Sequence, residues 1–271
     1  MPALPPSVPP TPVDHRAVVA ALRAAGCVFA EDEARLLLAA AGTPAELAVM
    51  VERRTAGFPL EQVVGWAEFR GLRIAVDPGV FVPRRRTEFL AGEAARLARP
   101  GAVVVDLCCG SGAVGAALAA EVERPRLYAA DIDPAAVACA RRNLAAAGGE
   151  VHQGDLYEPL PARLRGRVDI LVANAPYVPT DAVGLLPPEA RDHEPLTALD
   201  GGPDGLDILR RVVARAPDWL APGGHLLFET GERQAPAAVE AVTRAGLRVR
   251  VAVSEEWHAT VIVGTAAARS V

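Results

Sequence analysis

The chain has no lysine. All 28 basic residues among its 271 are arginine, set against 33 acids, for a net charge of −5 and an isoelectric point near 5.6. Without lysine there is no Gly-Lys-Ser/Thr, so a P-loop is absent, and the uniform use of arginine is read as coding bias rather than function. The acidic balance argues against broad, charge-driven binding to bare nucleic acid. Only four cysteines are present: Cys27, Cys108, Cys109 and Cys139. They have no C-x-x-C spacing and no matching histidine set, which argues against a zinc site. The adjacent pair Cys108-Cys109 is poor geometry for a disulfide, so the four are expected as small buried side chains in a reducing compartment. No apolar run reaches membrane-span length, although 51% of residues are hydrophobic, much of that alanine. The first twelve residues are proline-rich rather than basic and then apolar, which argues against a leader. HExxH, a Ser-His-Asp order and internal repeats are also missing, so a hydrolase has no support.

What is present is an ordered set of four strand ends. Val103-Val104-Val105-Asp106-Leu107 reads as a buried parallel strand, followed by Cys108-Cys109-Gly110-Ser111-Gly112 and an alanine-rich helix over 113–120. Strand, glycine-bearing turn and helix form the nucleotide-binding corner of an α/β sheet, although the spacing is not G-x-G-x-x-G. The second strand, Leu127-Tyr128-Ala129-Ala130-Asp131, ends in an acid whose carboxylate can accept from both ribose hydroxyls of a nucleoside cofactor. The third, Val151-His152-Gln153-Gly154-Asp155, places Asp155, with Leu156 beside it, to border an adenine.

The fourth strand, Val168-Asp169-Ile170-Leu171-Val172-Ala173, runs into Asn174-Ala175-Pro176-Tyr177. The Asn oxygen and a main-chain carbonyl can each accept one N–H of a planar NH2 group, while the proline stiffens the loop and the tyrosine offers a flat face. Such a socket suits an amide or an exocyclic amine. Together the four ends predict S-adenosylmethionine as cofactor, held by Cys108, Cys109, Gly110, Ser111, Gly112, Asp131, Asp155, Leu156 and Asn174. At Gly112 a Cβ is expected to collide with the methionine part of the cofactor.

The chain divides into zones. Residues 1–12 are expected as a disordered arm. Residues 13–66 have helical periodicity in Val18, Val19 and Leu22, in Leu36-Leu37-Leu38, and in Leu47, Met50 and Val51. Thr43-Pro44 marks a helix start. This small helical domain is assigned to substrate docking. Residues 67–89 read as a hairpin linker containing Asp77-Pro78-Gly79. Residues 90–271 alternate strands and helices, which predicts a mostly parallel sheet flanked by helices. Its last strands are placed at 247–253 and 259–264, with the final one antiparallel.

These residues resemble the HemK/PrmC family of protein-(glutamine-N(5)) methyltransferases, from about Val13 nearly to the C-terminus. The likeness rests on Arg54-Thr55-Ala56-Gly57-Phe58-Pro59-Leu60, Phe69-Arg70-Gly71-Leu72, Val82-Pro83-Arg84-Arg85-Arg86-Thr87-Glu88 and the strand ends in order. It continues through His193-Glu194-Pro195, Ala198-Leu199-Asp200-Gly201-Gly202-Pro203-Asp204-Gly205-Leu206, and Pro222-Gly223-Gly224 before Leu226-Leu227-Phe228-Glu229. The resemblance implies a Rossmann-like class I methyltransferase sheet with a small N-terminal helical domain. It implies methyl transfer from S-adenosylmethionine to a glutamine in the Gly-Gly-Gln loop of a peptide chain release factor, hence a role in translation termination. It also implies a cytoplasmic monomer with a protein partner, no membrane and no direct nucleic-acid contact. Asn174, Ala175, Pro176 and Tyr177 are the catalytic residues it implies.

Three departures from the family pattern matter. Its Asn-Pro-Pro-Tyr is Asn-Ala-Pro-Tyr here, which keeps the carbonyl at Ala175 but frees φ and adds an N–H. Its Pro-Arg-Pro-Glu-Thr-Glu is Pro83-Arg84-Arg85-Arg86-Thr87-Glu88, so an apolar residue and an acid have become arginines. Cys108-Cys109 stands where Gly-Thr is common. The three arginines read either as a docking patch for the protein substrate or as a solvated turn with an arginine paired to an acid.

An amide nitrogen is a poor nucleophile because its lone pair is delocalised. Orientation is therefore the main need, and placing two reactants in line can supply roughly 7–11 kcal/mol of the barrier. Asn174 and the Ala175 carbonyl would hold both N–H groups while Tyr177 packs on the amide plane. An adenine-N6 nucleic-acid methyltransferase uses a similar loop and stays open, as does a non-catalytic cofactor-binding interaction module. His193 and Glu194 read as loop-shaping residues more than as an acid–base pair. His152 reads as structural, and Trp257-His258 as edge packing.

Overall fold

The computed structural model describes residues 15–268, so the expected N-terminal arm lies outside the described residues. The chain divides into two compact units, Met1–Val64 and Gly65–Val271. In the first unit α1 (His15–Ala24), α2 (Ala30–Ala40), α3 (Pro44–Thr55) and α4 (Leu60–Val64) bury Val18, Val19, Leu22, Ala34, Leu37 and Leu47 against one another. Helix α3 begins where the sequence places it: the Thr43 hydroxyl accepts from the Glu46 N–H at 3.1 Å, with Pro44 in the first turn. A buried ion pair crosses this core, Arg54 donating to Glu33 at 2.6 and 3.1 Å.

The second unit opens with a hairpin of β1 (Trp66–Phe69) and β2 (Leu72–Ala75). Its turn is Arg70-Gly71, both residues at positive φ (49° and 72°), the two-residue geometry that matches strand twist. The sequence pointed instead to Asp77-Pro78-Gly79. That segment makes a separate turn, in which the Val80 N–H donates to the Asp77 carbonyl.

Helix α5 (Thr87–Leu97) leads into the main sheet, built as β3 (Val103–Leu107), α6 (Ala113–Glu121), β4 (Arg126–Asp131), α7 (Pro134–Leu144), β5 (Glu150–Gln153) and β6 (Val168–Ala173). After α8 (Pro188–His193) and α9 (Asp207–Trp219) come β7 (Leu220–Thr230), α10 (Ala235–Arg244), β8 (Arg248–Ser254) and β9 (Ala259–Thr265). The strand order is β5-β4-β3-β6-β7-β9-β8, parallel from β5 to β7, with β9 antiparallel between β7 and β8. Every residue of β3 is buried, as a strand covered on both faces requires. Successive β3 side chains enter opposite cores, Val104 one and Val103, Val105 and Leu107 the other. Each such fully buried side chain contributes about 1.5–3 kcal/mol. The chain runs outward from β3 to β5 and returns to β6 on the other side. That reversal opens a crevice at the carboxyl ends of β3 and β6, where an open α/β sheet binds its ligand.

Candidate active site

A cavity of about 270 Å³ occupies this crevice, lined among others by Gly110, Ser111, Asp131, Asp155, Leu156 and Asn174. All four predicted strand ends meet there. The turn after β3 is left-handed at Cys108 and Gly110 (both φ 53°) and at Gly112 (φ 78°). Asp131 organises this turn: its carboxylate accepts from the Gly110 N–H at 2.8 Å and from the Asp133 N–H at 3.0 Å. Burial raises its pKa, and the two backbone donors oppose the rise. Two acceptor oxygens with lone pairs to spare remain suited to a diol.

Gly112 does not line the cavity, and a Cβ there would meet Ala140 Cβ at 3.2 Å and Leu144 Cγ at 3.3 Å in α7. The backbone angle and the packed helix each favour glycine at this position. Asp155 lies on the wall but is ion-paired with Arg211 of α9, a wall residue that the sequence did not suggest. Cys108 and Cys109 line the cavity too. Burial pushes both thiols up, so they stay protonated and act as packing.

Asp106 also faces the cavity. It is buried, accepts from the Gly115 N–H at 3.0 Å, and is pushed up to about 7 by desolvation. A carboxyl whose pKa is higher folded than unfolded binds more protons when folded, so its contribution to stability falls as pH rises from the ordinary carboxylate range to about 7. Asp106→Asn keeps the acceptor for Gly115 and removes this loss. Urea midpoints at pH 5 and pH 8 should show the variant gaining on the parent at the higher pH; parallel profiles would remove Asp106 as the source.

A second cavity, of about 500 Å³, adjoins the first. The two share Phe81, Asn174, Pro176 and Ala198 as lining, and the second adds Ala175, Tyr177, Arg84 and Arg86. Asn174 Oδ1 at this junction is buried and has no hydrogen-bond partner among the described residues. A buried acceptor left unpaired costs about 1–3 kcal/mol, a cost that an incoming N–H relieves.

The loop carrying Asn174 is held from several sides. Gln234 Nε2 donates to the Tyr177 carbonyl at 2.8 Å, and the Gly201 N–H donates to the Val178 carbonyl at 2.9 Å. A Cβ at Gly201 would lie 2.7 Å from the Pro176 carbonyl oxygen, so the Gly-Gly-Pro-Asp-Gly stretch is a tight backing to the socket. The Tyr177 hydroxyl donates to Glu229 Oε1 at 2.8 Å and accepts from Arg86. The Arg86 guanidinium lies 5.5 Å from the Tyr177 ring centroid and pairs with Glu229 at 2.8 Å. Thr87 Oγ1 completes the cluster, donating to Glu229 Oε2 at 2.8 Å.

Tyr177 is therefore less available than the sequence suggested, with its hydroxyl engaged and Arg86 against its ring. Of the three arginines, Arg84 pairs with buried Glu194 at 2.5 Å and Arg86 with Glu229, while Arg85 and Arg86 are both exposed. Glu194 accepts from the Val82 N–H at 3.0 Å as well, so it anchors the 82–84 segment rather than serving as an acid or base. Glu229 was missed, yet it ends a buried strand as Asp131 does, and the same signal would have found it.

The sheet with its antiparallel β9 and the acid-lined crevice define a class I S-adenosylmethionine-dependent methyltransferase. The Methyltransferase small domain model matches residues 71–185. The release factor glutamine methyltransferase of Geobacter sulfurreducens is 41% identical over 208 residues, covering 75% of this chain and 72% of the relative. The chain belongs to the release factor glutamine methyltransferase family. It is also 41% identical over 204 residues to the 4-amino-L-phenylalanine/4-methylamino-L-phenylalanine methyltransferase of Streptomyces pristinaespiralis, covering 72% of this chain and 68% of that one. A methyltransferase structure from Pyrococcus furiosus shares the fold, with a TM-score of 0.54 and 17% identity over 73% of this chain and 90% of that one.

Proposed function

We propose that this enzyme methylates the side-chain amide nitrogen of a glutamine in a protein, the Gly-Gly-Gln loop of a peptide chain release factor, and that it works in the cytoplasm. The observation that carries this is Asn174 Oδ1, buried and unpartnered where the two cavities meet. S-adenosylmethionine supplies an electrophilic methyl on a sulfonium centre. Asp131 would accept its ribose hydroxyls, the Gly110-Ser111 backbone would border its methionine part, and Asp155 and Leu156 its adenine. From the second cavity the substrate amide would donate one N–H to Asn174 Oδ1 and the other to the Ala175 carbonyl. Those two acceptors fix the amide plane and leave the nitrogen lone pair facing the first cavity. No side chain need act as a strong base, because the proton leaves after transfer, when the nitrogen is acidic. Asp131 and Asp155 bear on binding, and Asn174 on the chemical step.

A second acceptor class has one observation in its favour: the Streptomyces pristinaespiralis relative is a methyltransferase of two arylamines. An aniline NH2 presents two N–H groups, as an amide does, and so fits the same pair of acceptors.

The test is a transfer assay with labelled cofactor and three acceptors: a folded bacterial release factor, 4-amino-L-phenylalanine and duplex DNA. Label should enter the release factor alone. The helical domain expected at residues 13–66 falls in a unit of its own that ends at Val64, and it is assigned to holding the protein substrate. A chain beginning at Gly65 should still bind cofactor yet transfer at least about tenfold more slowly to the folded factor, the effect of losing a docking surface. Undiminished transfer by the shortened chain would refute the docking role, and label in the arylamine alone would refute the glutamine reading.

A further inference from the structure

We infer that Asn143, on α7, is a positioning residue for the cofactor turn, an inference that rests on the cofactor assignment above. Its side-chain amide makes three bonds to backbone, besides a longer one from Nδ2 to Cys139 Sγ at 3.8 Å on the same helix. Oδ1 accepts from the Ala75 N–H at 2.9 Å, and Nδ2 donates to the carbonyls of Ala75 at 2.9 Å and Ser111 at 2.8 Å. Ala75 ends β2, and Ser111 is the middle residue of the turn that lines the cofactor cavity. The amide thus pairs with Ala75 through both backbone groups, as a neighbouring strand would. Its remaining N–H ties that strand to the turn.

The same face of α7 presses on the turn sterically. Ala140, Asn143 and Leu144 are spaced i, i+3 and i+4, and Ala140 and Leu144 are the atoms a Cβ at Gly112 would strike. The cavity has Gly110 and Ser111 in its lining, and also Phe69 of β1 and Phe81 from the segment after the hairpin. Asn143 is not among the lining residues, yet it links the elements that carry both groups. It fixes how far apart they stand. Only a carboxamide supplies one acceptor and two donors on a single planar group, and glutamine would place them a methylene further out. Ser111 is buried, so a carbonyl that loses its donor there either stays unpaired or moves the turn. A site is as tight as the residues supporting it.

Calorimetric titration of the full chain with S-adenosylhomocysteine, the demethylated cofactor, tests this without relying on turnover. Asn143→Ala removes all three backbone bonds. Asn143→Asp keeps the shape and the acceptor for Ala75 but has neither donor. Both should bind about tenfold more weakly than the parent. KM for the cofactor should rise in step, with kcat at saturating cofactor within about twofold of the parent. Arg142→Ala removes a neighbouring tie, from α7 to Asp77, that does not reach the turn, and should leave affinity unchanged. Parental affinity in either Asn143 variant overturns the proposal whatever its melting temperature, since a purely structural role lowers stability alone. Equal weakening by Arg142→Ala overturns it too, because any loosening of α7 would then suffice. A parent that fails to bind overturns the cofactor assignment itself, and this inference with it.

Discussion

Replacing Asn174 with alanine should slow methyl transfer by on the order of 10²–10³ while moving cofactor affinity by no more than a few-fold. The expectation follows from where Asn174 stands. Among the described residues its Oδ1 is the one unpartnered buried side-chain oxygen at the junction of the two cavities, and the nearby acids are already engaged by backbone donors, Arg211 or the Arg86 cluster. An amide deprived of that acceptor keeps a single anchor, the Ala175 carbonyl, and can rotate out of line. The position that varies from the usual loop gives the companion result. Ala175 is 1% exposed, and its N–H makes no hydrogen bond among the described residues. Proline there would cost no hydrogen bond and would retain the carbonyl, so Ala175→Pro should keep or raise activity. Single-turnover rates with labelled cofactor and a glutamine-bearing protein check both. A parental rate in Asn174→Ala would end the amide-socket account; an inactive Ala175→Pro would mean that the loop is shaped for another acceptor.

Asp131→Ala should have the opposite signature, a loss of cofactor affinity of about 10–100-fold. The carboxylate does two jobs. It accepts from the Gly110 and Asp133 N–H groups, which holds the turn in its left-handed path, and its spare lone pairs face the cavity. Alanine abolishes both, whereas Asp131→Asn keeps one acceptor oxygen and should fall between alanine and the parent. Titration with S-adenosylhomocysteine reads this directly, and unchanged binding by Asp131→Ala would remove that residue from the site. Asn174 and Asp131 thus separate chemistry from binding: one variant lowers the rate at saturating cofactor, the other raises the cofactor concentration needed.

Local signals carried much of this site. The strands β3 and β6 are legible because parallel strands buried on both faces must be apolar almost throughout, and each of these carries a single acid. Asp131, which closes β4, and Asp155, two residues past the end of β5, are legible because an acid at a strand end has few uses other than a polar ligand or a turn. What the sequence does not show depends on backbone angles or on residues far apart in sequence. Sequence alone points to Asp77-Pro78-Gly79 for the hairpin turn because Arg70 gives no hint that it adopts φ 49°. At Gly112 only the packed helix reveals Ala140 and Leu144 beside it. The Arg86–Tyr177–Glu229–Thr87 cluster joins positions up to 143 residues apart, and no local pattern announces such a meeting. It also gives the arginine at 86 a role: with an acid there, as in the resembled pattern, buried Glu229 would face a like charge instead of a partner.

The central claim is that the methyl lands on a side-chain amide. Incubating the enzyme with unlabelled cofactor and a folded release factor, followed by proteolysis and tandem mass spectrometry of the Gly-Gly-Gln peptide, tests it most directly. The account predicts one added methyl, on the glutamine side chain, absent when Asn174→Ala replaces the parent under the same conditions. A methyl on any other residue, or an unmodified glutamine beside a fully methylated arylamine control, would contradict it.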